Sequence, residues 1–375
     1  MRSQPALVLP FSVASSADDG DDGMLSSQAT VAVATYSELV FLFTIGKRQL
    51  QLLGTLQAPF AEASAAKERT LLTVRNNCVC PTLNGVSDAS CCISSMNALA
   101  FNLTTSRPSI EFSLRSSAPT CPSGPLCGAI FTYIVNSSLI AVANYIGGFV
   151  TFVDLWTGRS WLSTPISDVS LMHQVVPDLR CRGSDRIFAV DAGNFSVLTL
   201  DLYGLVLGRV QHTKRIRRLT LHPQLQFAYL LYEEDGEFGV WHWPDCVSLG
   251  EGVPYELTVW QTLPTREENK PTSLLITRDG RFLYTCTRTH YLPNIQNYVG
   301  IFNVSTGNPL LMRWVAIAGN NTRDCALIND EVLMAADVES NVLLSFRIDE
   351  TTGDLAPMNT FTHASFGHPT MIVPL

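Results

Sequence analysis

Charge is scarce in this sequence: 15% of its 375 residues are charged, and 25 lysines and arginines face 33 aspartates and glutamates for a net charge of −8. So little Glu and Lys argues against coiled coils and long surface helices, which are built from those residues. No stretch of useful length shows helical periodicity. The one basic run, Lys214-Arg215-Ile216-Arg217-Arg218, is too short to follow a nucleic-acid backbone, so nucleic acid is not an expected partner. The longest apolar run, Leu139 to Trp156, is broken by Asn144-Tyr-Ile-Gly-Gly148 and stopped by Asp154. That reads as two buried strands joined by a turn, and no membrane span is expected. Also missing are a Gly-rich phosphate loop, a Gly-x-Ser-x-Gly elbow, a His-Glu-x-x-His helix and a carboxylate metal cluster. No nucleotide, metal or other cofactor is expected.

What is present points to sheets. Residues 1–28 hold four aspartates (Asp18, Asp19, Asp21, Asp22) in a Ser/Ala/Gly-rich stretch and read as a disordered tail. Within them Pro5 to Ala14 is apolar, but Pro10 interrupts it and only Arg2 precedes it, a poor signal peptide. A cytoplasmic location is expected, which leaves the Asn-x-Ser/Thr sequons without a role. The ten cysteines of so long a chain are not read as a disulfide framework. Cys78, Cys80, Cys91 and Cys92 cluster, without the CxxC knuckles of common structural zinc sites.

Across residues 29–375 one unit recurs: a β-rich run, a turn, then a strand of alternating apolar character. The alternating strands start at Leu39, Asn97, Phe149, Ser196, Phe238, Tyr298 and Asn341, 42 to 60 residues apart. Each interval holds about four short strands and their loops. Turn, strand, turn, alternating strand is an antiparallel meander. Seven such sheets in a circle make an all-β, seven-bladed β-propeller. The apolar ends of this region, Thr30 to Tyr36 and Pro369 to Leu375, are expected to share one blade and close the ring.

Several motifs now carry a resemblance. Val142-Ala-Asn-Tyr-Ile-Gly-Gly148, Asp191-Ala-Gly-Asn194, Arg217-Arg-Leu-Thr-Leu-His-Pro223 with Tyr229-Leu-Leu-Tyr-Glu233, Asp279-Gly-Arg-Phe-Leu-Tyr-Thr-Cys-Thr-Arg288, Thr322-Arg-Asp324 and Phe346-Arg-Ile-Asp-Glu-Thr-Thr-Gly353 resemble, in order and spacing, motifs of the propeller lactonases. That family includes bacterial-type 6-phosphogluconolactonase and the fungal 3-carboxy-cis,cis-muconate lactonizing enzyme. The match runs from about Cys127 to Leu355. The resemblance implies a site of His173, Arg217, Glu233 and Arg288, with Arg323 as a further anion-binding group. Four neighbours depart from the family pattern: Leu171, Arg218, Tyr232 and Thr287.

The chemistry asks for the same residue types. Opening a lactone with water needs a base, a proton donor for the leaving alkoxide, and cations for the oxyanion and for an anionic substrate group. His173 and Glu233 are the expected base and acid. Arginines bind phosphate or carboxylate through paired hydrogen bonds, so Arg217, Arg288 and Arg323 are the expected substrate ligands. The expected partner is a small anionic lactone. Cyclisation of a carboxylated muconate uses the same groups, and a non-catalytic propeller serving as an interaction platform is the alternative of another class. The same sequence offers plainer roles too: Arg217 lies in a basic run able to pair with the acidic turn Glu233 to Glu237, and His222 and Trp241 read as packing.

Overall fold

The computed structural model describes most residues from Ala29 to Pro374; residues 1–28, 76–94, 120–128, 179–185, 243–255, 262–269 and 290–295 and several shorter turns lie outside the description, and between residues 53 and 134 it gives the backbone only. The expected tail and the four-thiol cluster fall outside the described residues.

The described residues form strands and no helix. Twenty-eight strands make seven four-stranded antiparallel sheets. Here the sheet holding the C-terminal strand is the first blade, and the others follow in chain order. The innermost strands are Pro369–Pro374, Ala61–Lys67, Ala129–Ile134, Met172–Pro177, Ile216–Leu221, Lys270–Ile276 and Thr322–Ile328. Each touches the next around the circle, the C-terminal strand touching both its neighbours. In the first blade Pro369–Pro374 pairs with Ala29–Thr35, matching Val33 with Ile372. The chain ends close the ring as the sequence leads one to expect. All seven alternating runs lie third from the channel, and the Leu139 to Trp156 region supplies the strands Leu139–Asn144 and Phe149–Asp154.

The cores lie between blades. Successive side chains of a strand point to opposite faces, and the second strand of the fourth blade, Arg186–Asp191, uses both faces. Ile187 and Ala189 pack with Ala141, Ala143 and Phe152 of the third blade, while Phe188 and Val190 pack with Leu219, Leu230 and Trp241 of the fifth. A strand covered on both sides must be apolar throughout, which is why Leu139–Asn144, Phe282–Arg288 and Val332–Asp337 are buried at every residue. Each fully buried Leu or Phe here contributes about 1.5–3 kcal/mol. Outermost strands are less covered, and Leu310–Ile317 opens with four exposed residues in a row, so both of its faces meet solvent there.

The turns explain the motifs. Gly280 has φ +71° and lies so close to the His222 ring that a Cβ would sit 2.4 Å from it. The buried His222 in turn accepts the N–H groups of Gln224 and Leu225 on Nδ1 and meets the Gly280 carbonyl through Nε2. Tyr284 donates its hydroxyl to the Gly353 carbonyl at 2.9 Å. These residues fasten one blade to the next.

Candidate functional site

Every innermost strand carries one extra residue at the same place. Its pairing with the second strand slips once, at Thr370, Glu62, Ile130, His173, Arg217, Thr272 and Arg323 in the seven blades. A bulge leaves a residue out of the ladder and re-aims it, so the fold places seven such residues at one end of the central channel. His173, Arg217 and Arg323 are three of them. The partner strands form a second ring at that end. Asn144, Asp191, Tyr232, Thr287 and Asp337 pair with the residues just before the bulges, and the residues that follow them include Tyr145, Glu233 and Arg288. All five residues expected at the site therefore belong to two rings around the channel mouth.

Buried carboxylates fix the entry to the innermost strands. Asp191 is fully buried and accepts the N–H of Leu171 at 2.9 Å and those of Gly193 and Asn194 at 3.1 Å. Asp337 does the same for Asn321 at 2.7 Å and Ser340 at 2.8 Å. These two anchors hold the backbone two residues ahead of His173 and Arg323.

Glu233 is the hub. Its Oε1 accepts Arg217 Nη1 and Arg288 Nη2, both at 2.6 Å, and Arg217 Nε donates to the Thr272 carbonyl at 3.3 Å. Burial alone would raise the carboxyl pKa, but the two guanidinium charges outweigh it and hold Glu233 well below the usual carboxylate range. It is therefore an ionised clamp, not the proton donor its position in the sequence suggests. Arg288 is lowered to about 10, by burial first and by Arg217 next, and stays protonated at neutral pH.

His173 is partly exposed, with its Nδ1 buried and without a protein hydrogen-bond partner. The ring of Tyr145 meets it edge-on, centroids 5.8 Å apart; the sequence alone reads Tyr145 as a turn residue. Burial, then Arg217 and Arg218, holds the imidazole well below its ordinary value of 6.5. The charge of Arg323 acts in the same direction on both His173 and Arg288. His173 is thus neutral at physiological pH and surrounded by cations.

Below the mouth the channel opens into a cavity of about 530 Å³ whose lining includes Gln174, Arg218, Ser273 and Asp324. Here the sequence reading missed a group. Arg218 Nη2 lies 3.6 Å from Asp324 Oδ1, which also accepts Ser273 Oγ at 3.1 Å, and Asp324 Oδ2 accepts the Ile372 N–H at 3.1 Å. Arg218 and Asp324 stand in two of the quoted motifs, each directly after a bulge residue, but neither motif pairs them with each other or with Ser273. Of the four departures, Arg218 lines this cavity, whereas Tyr232 and Thr287 are buried in their blades and Thr287 Oγ1 donates to the Tyr298 carbonyl.

Among the described residues no three His, Cys, Asp or Glu side chains are grouped to hold a metal ion, and no helix is long and apolar enough to cross a membrane.

Residues 172–374 match the family model described as lactonase, seven-bladed β-propeller. Among solved structures, a protein from Bacteroides uniformis described as a candidate 6-phosphogluconolactonase has a TM-score of 0.73 at 19% identity, covering 93% of this chain and 99% of the other. The periplasmic gluconolactonase of Pseudomonas aeruginosa has a TM-score of 0.74 at 17% identity, again covering 93% and 99%. At these identities the likeness is one of fold. A search of curated proteins returns no match.

Proposed function

Because the chain belongs to the seven-bladed β-propeller lactonase family and is a lactone hydrolase of that kind, we propose that its substrate is a small lactone bearing a phosphate or carboxylate, as in 6-phosphogluconolactone, and that side chains at the channel mouth open it without a cofactor. The observation that carries the reading is a charge imbalance. Arg217 and Arg288 both pair with the single carboxylate of Glu233 at 2.6 Å, two guanidiniums to one carboxylate, in a chain whose net charge is −8. A buried positive excess costs energy that an anionic ligand relieves. It also disfavours a divalent metal ion.

The roles follow from the protonation states. Neutral His173 takes a proton from water as the water oxygen attacks the lactone carbonyl carbon. Guanidinium groups hold the oxyanion as the tetrahedral intermediate forms. The resulting imidazolium is a strong acid among so many cations and returns the proton to the ring oxygen as the C–O bond breaks. Glu233 keeps Arg217 and Arg288 aligned by accepting both on one carboxylate oxygen at 2.6 Å.

The test is hydrolysis of freshly prepared 6-phosphogluconolactone beside the unphosphorylated lactone, each against its spontaneous opening. The phosphorylated lactone is expected to show the lower KM. Equal KM values would overturn the anionic substrate, and turnover of 3-carboxy-cis,cis-muconate without lactone hydrolysis would move the reaction to cyclisation.

A further inference from the structure

Two cysteines that the sequence reading left single are paired. Cys286 and Cys325 are 39 residues apart in the chain and form a disulfide, with Cα atoms 6.6 Å apart. Both are buried in the core between the sixth and seventh blades, with Tyr284, Leu333 and Ala335 around them. The bond is an inter-blade tie, joining the second strand of one blade to the innermost strand of the next.

Its place relative to the mouth is specific. Cys286 lies two residues before Arg288 on Phe282–Arg288, and residues two apart on a strand share a face. Cys325 follows Asp324 and lies two beyond Arg323 on Thr322–Ile328. Hydrogen bonds join the tie to the channel: Cys325 N–H donates to Ser273 Oγ at 3.0 Å, Ser273 Oγ donates to Asp324 Oδ1, and Thr272 Oγ1 donates to the Cys286 carbonyl at 3.3 Å. Thr272 is also the residue whose carbonyl accepts Arg217 Nε. Arg217, Arg218, Arg288 and Arg323 thus each lie within a few bonds or contacts of this one covalent link.

We propose that the Cys286–Cys325 disulfide is a positioning element of the site: it fixes the spacing of the arginines contributed by the sixth and seventh blades, so anion binding depends on the oxidation state of this pair. The proposal rests on the anionic-substrate reading above. Forming the bond joins the two sulfurs, releases two protons and passes two electrons to a disulfide-bearing oxidant, which is itself reduced to thiols; a thiol reductant reverses the exchange. With both sulfurs buried, access between the blades limits that exchange. Blade separation without the tie would let the guanidiniums, which repel one another, move apart.

The experiment uses the full chain in three states: oxidised, reduced with a thiol reductant, and reduced then reoxidised. Peptide mapping by mass spectrometry assigns the linkage, and calorimetric titration with inorganic phosphate reads the arginines without relying on turnover. Phosphate affinity is expected to fall about tenfold on reduction and to recover on reoxidation. The Cys286→Ala/Cys325→Ala variant should bind phosphate like the reduced chain whatever reductant is present. A merely structural tie would lower the melting temperature and leave phosphate affinity unchanged at temperatures well below it. Equal affinity in the oxidised and reduced chain, or oxidised chain with the two cysteines unlinked, overturns the proposal while the anionic site stands. No phosphate binding by the linked, oxidised chain removes the anionic site, and the proposal with it.

Discussion

The basic run Lys214 to Arg218 and the acidic turn Glu233 to Glu237 meet in two places, and the two meetings differ in kind. At the rim, Lys214 pairs with Glu237 and Arg215 with Glu234 at 3.1 Å, where the Arg215 and Glu234 side chains remain 29% and 53% exposed. At the channel mouth, two residues further along the first segment, Arg217 pairs with Glu233 at 10% and 18% exposure, and Arg288 joins from the next blade at 8%. Exposed pairs are screened by water and contribute about 0–1 kcal/mol. Enclosed charges depend on their partners, since removing one leaves another desolvated and uncompensated. Identical residue types in one short segment therefore do different things, and burial decides which.

The sharpest way to break this contrast is Glu233→Ala. It leaves two guanidiniums facing each other, and stability should fall by about 3 kcal/mol with loss of lactonase activity, measured by denaturant unfolding and initial rates. A loss below half that figure would mean that water reaches the mouth freely. His173→Ala follows, with kcat lowered roughly 100-fold or more and the fold intact by circular dichroism. Arg288→Lys keeps the charge and removes the fork of donors, so KM for the phosphorylated lactone should rise by the equivalent of about 1–2 kcal/mol, with less effect on the neutral lactone. Glu234→Gln at the rim should shift stability by less than about 0.5 kcal/mol and leave both kinetic constants unchanged; a KM effect there would extend the site outward.

The pH profile sharpens the comparison further. His173 accepts a proton only when neutral, and burial with Arg217 and Arg218 keeps it neutral well below 6.5. Its contribution to kcat/KM should therefore stay level from neutrality through pH 6.5 and fall only in more acid solution; an acid limb centred at 6.5 or above would show an imidazole exposed to solvent. Stability carries the same sign. The unfolded chain takes up a proton near 6.5 that the folded chain refuses, so this group costs stability increasingly as pH falls below that value.

Much of the fold was legible because a propeller writes itself locally. Strands buried on both faces had to be apolar runs such as Leu139 to Asn144, and the third strands Phe149–Asp154 and Ser196–Asp201 are likewise buried on both faces, with Thr151 and Thr199 as their small polar residues. Turn chemistry such as Asp279-Gly280 was legible for the same reason, a glycine pressed against His222. The site residues were named through a resemblance of motifs, and composition alone would have left His173 a core histidine and Arg217 a partner of the acidic turn. Arg217 is in fact both an ion-pair partner and a member of the mouth. The group Arg218, Ser273 and Asp324 was not legible, since its members come from three strands and none belongs to a motif that names a partner.

The sequence by itself determined the strand pattern, the seven repeats and the pairing of the chain ends, because those depend on which side chains can be buried at a spacing of two along a strand. It also supplied an arginine-rich set in an acidic chain. The tertiary structure decided the rest. One bulge per innermost strand brings residues 173, 217 and 323 to a common mouth, and the second ring adds 233 and 288. Whether a charge there is a solvated ornament or a binding group depends on how far neighbouring blades exclude water from it, and no linear pattern encodes that. The meeting of Cys286 with Cys325 has the same origin: two positions 39 residues apart become neighbours only when adjacent blades pack face to face.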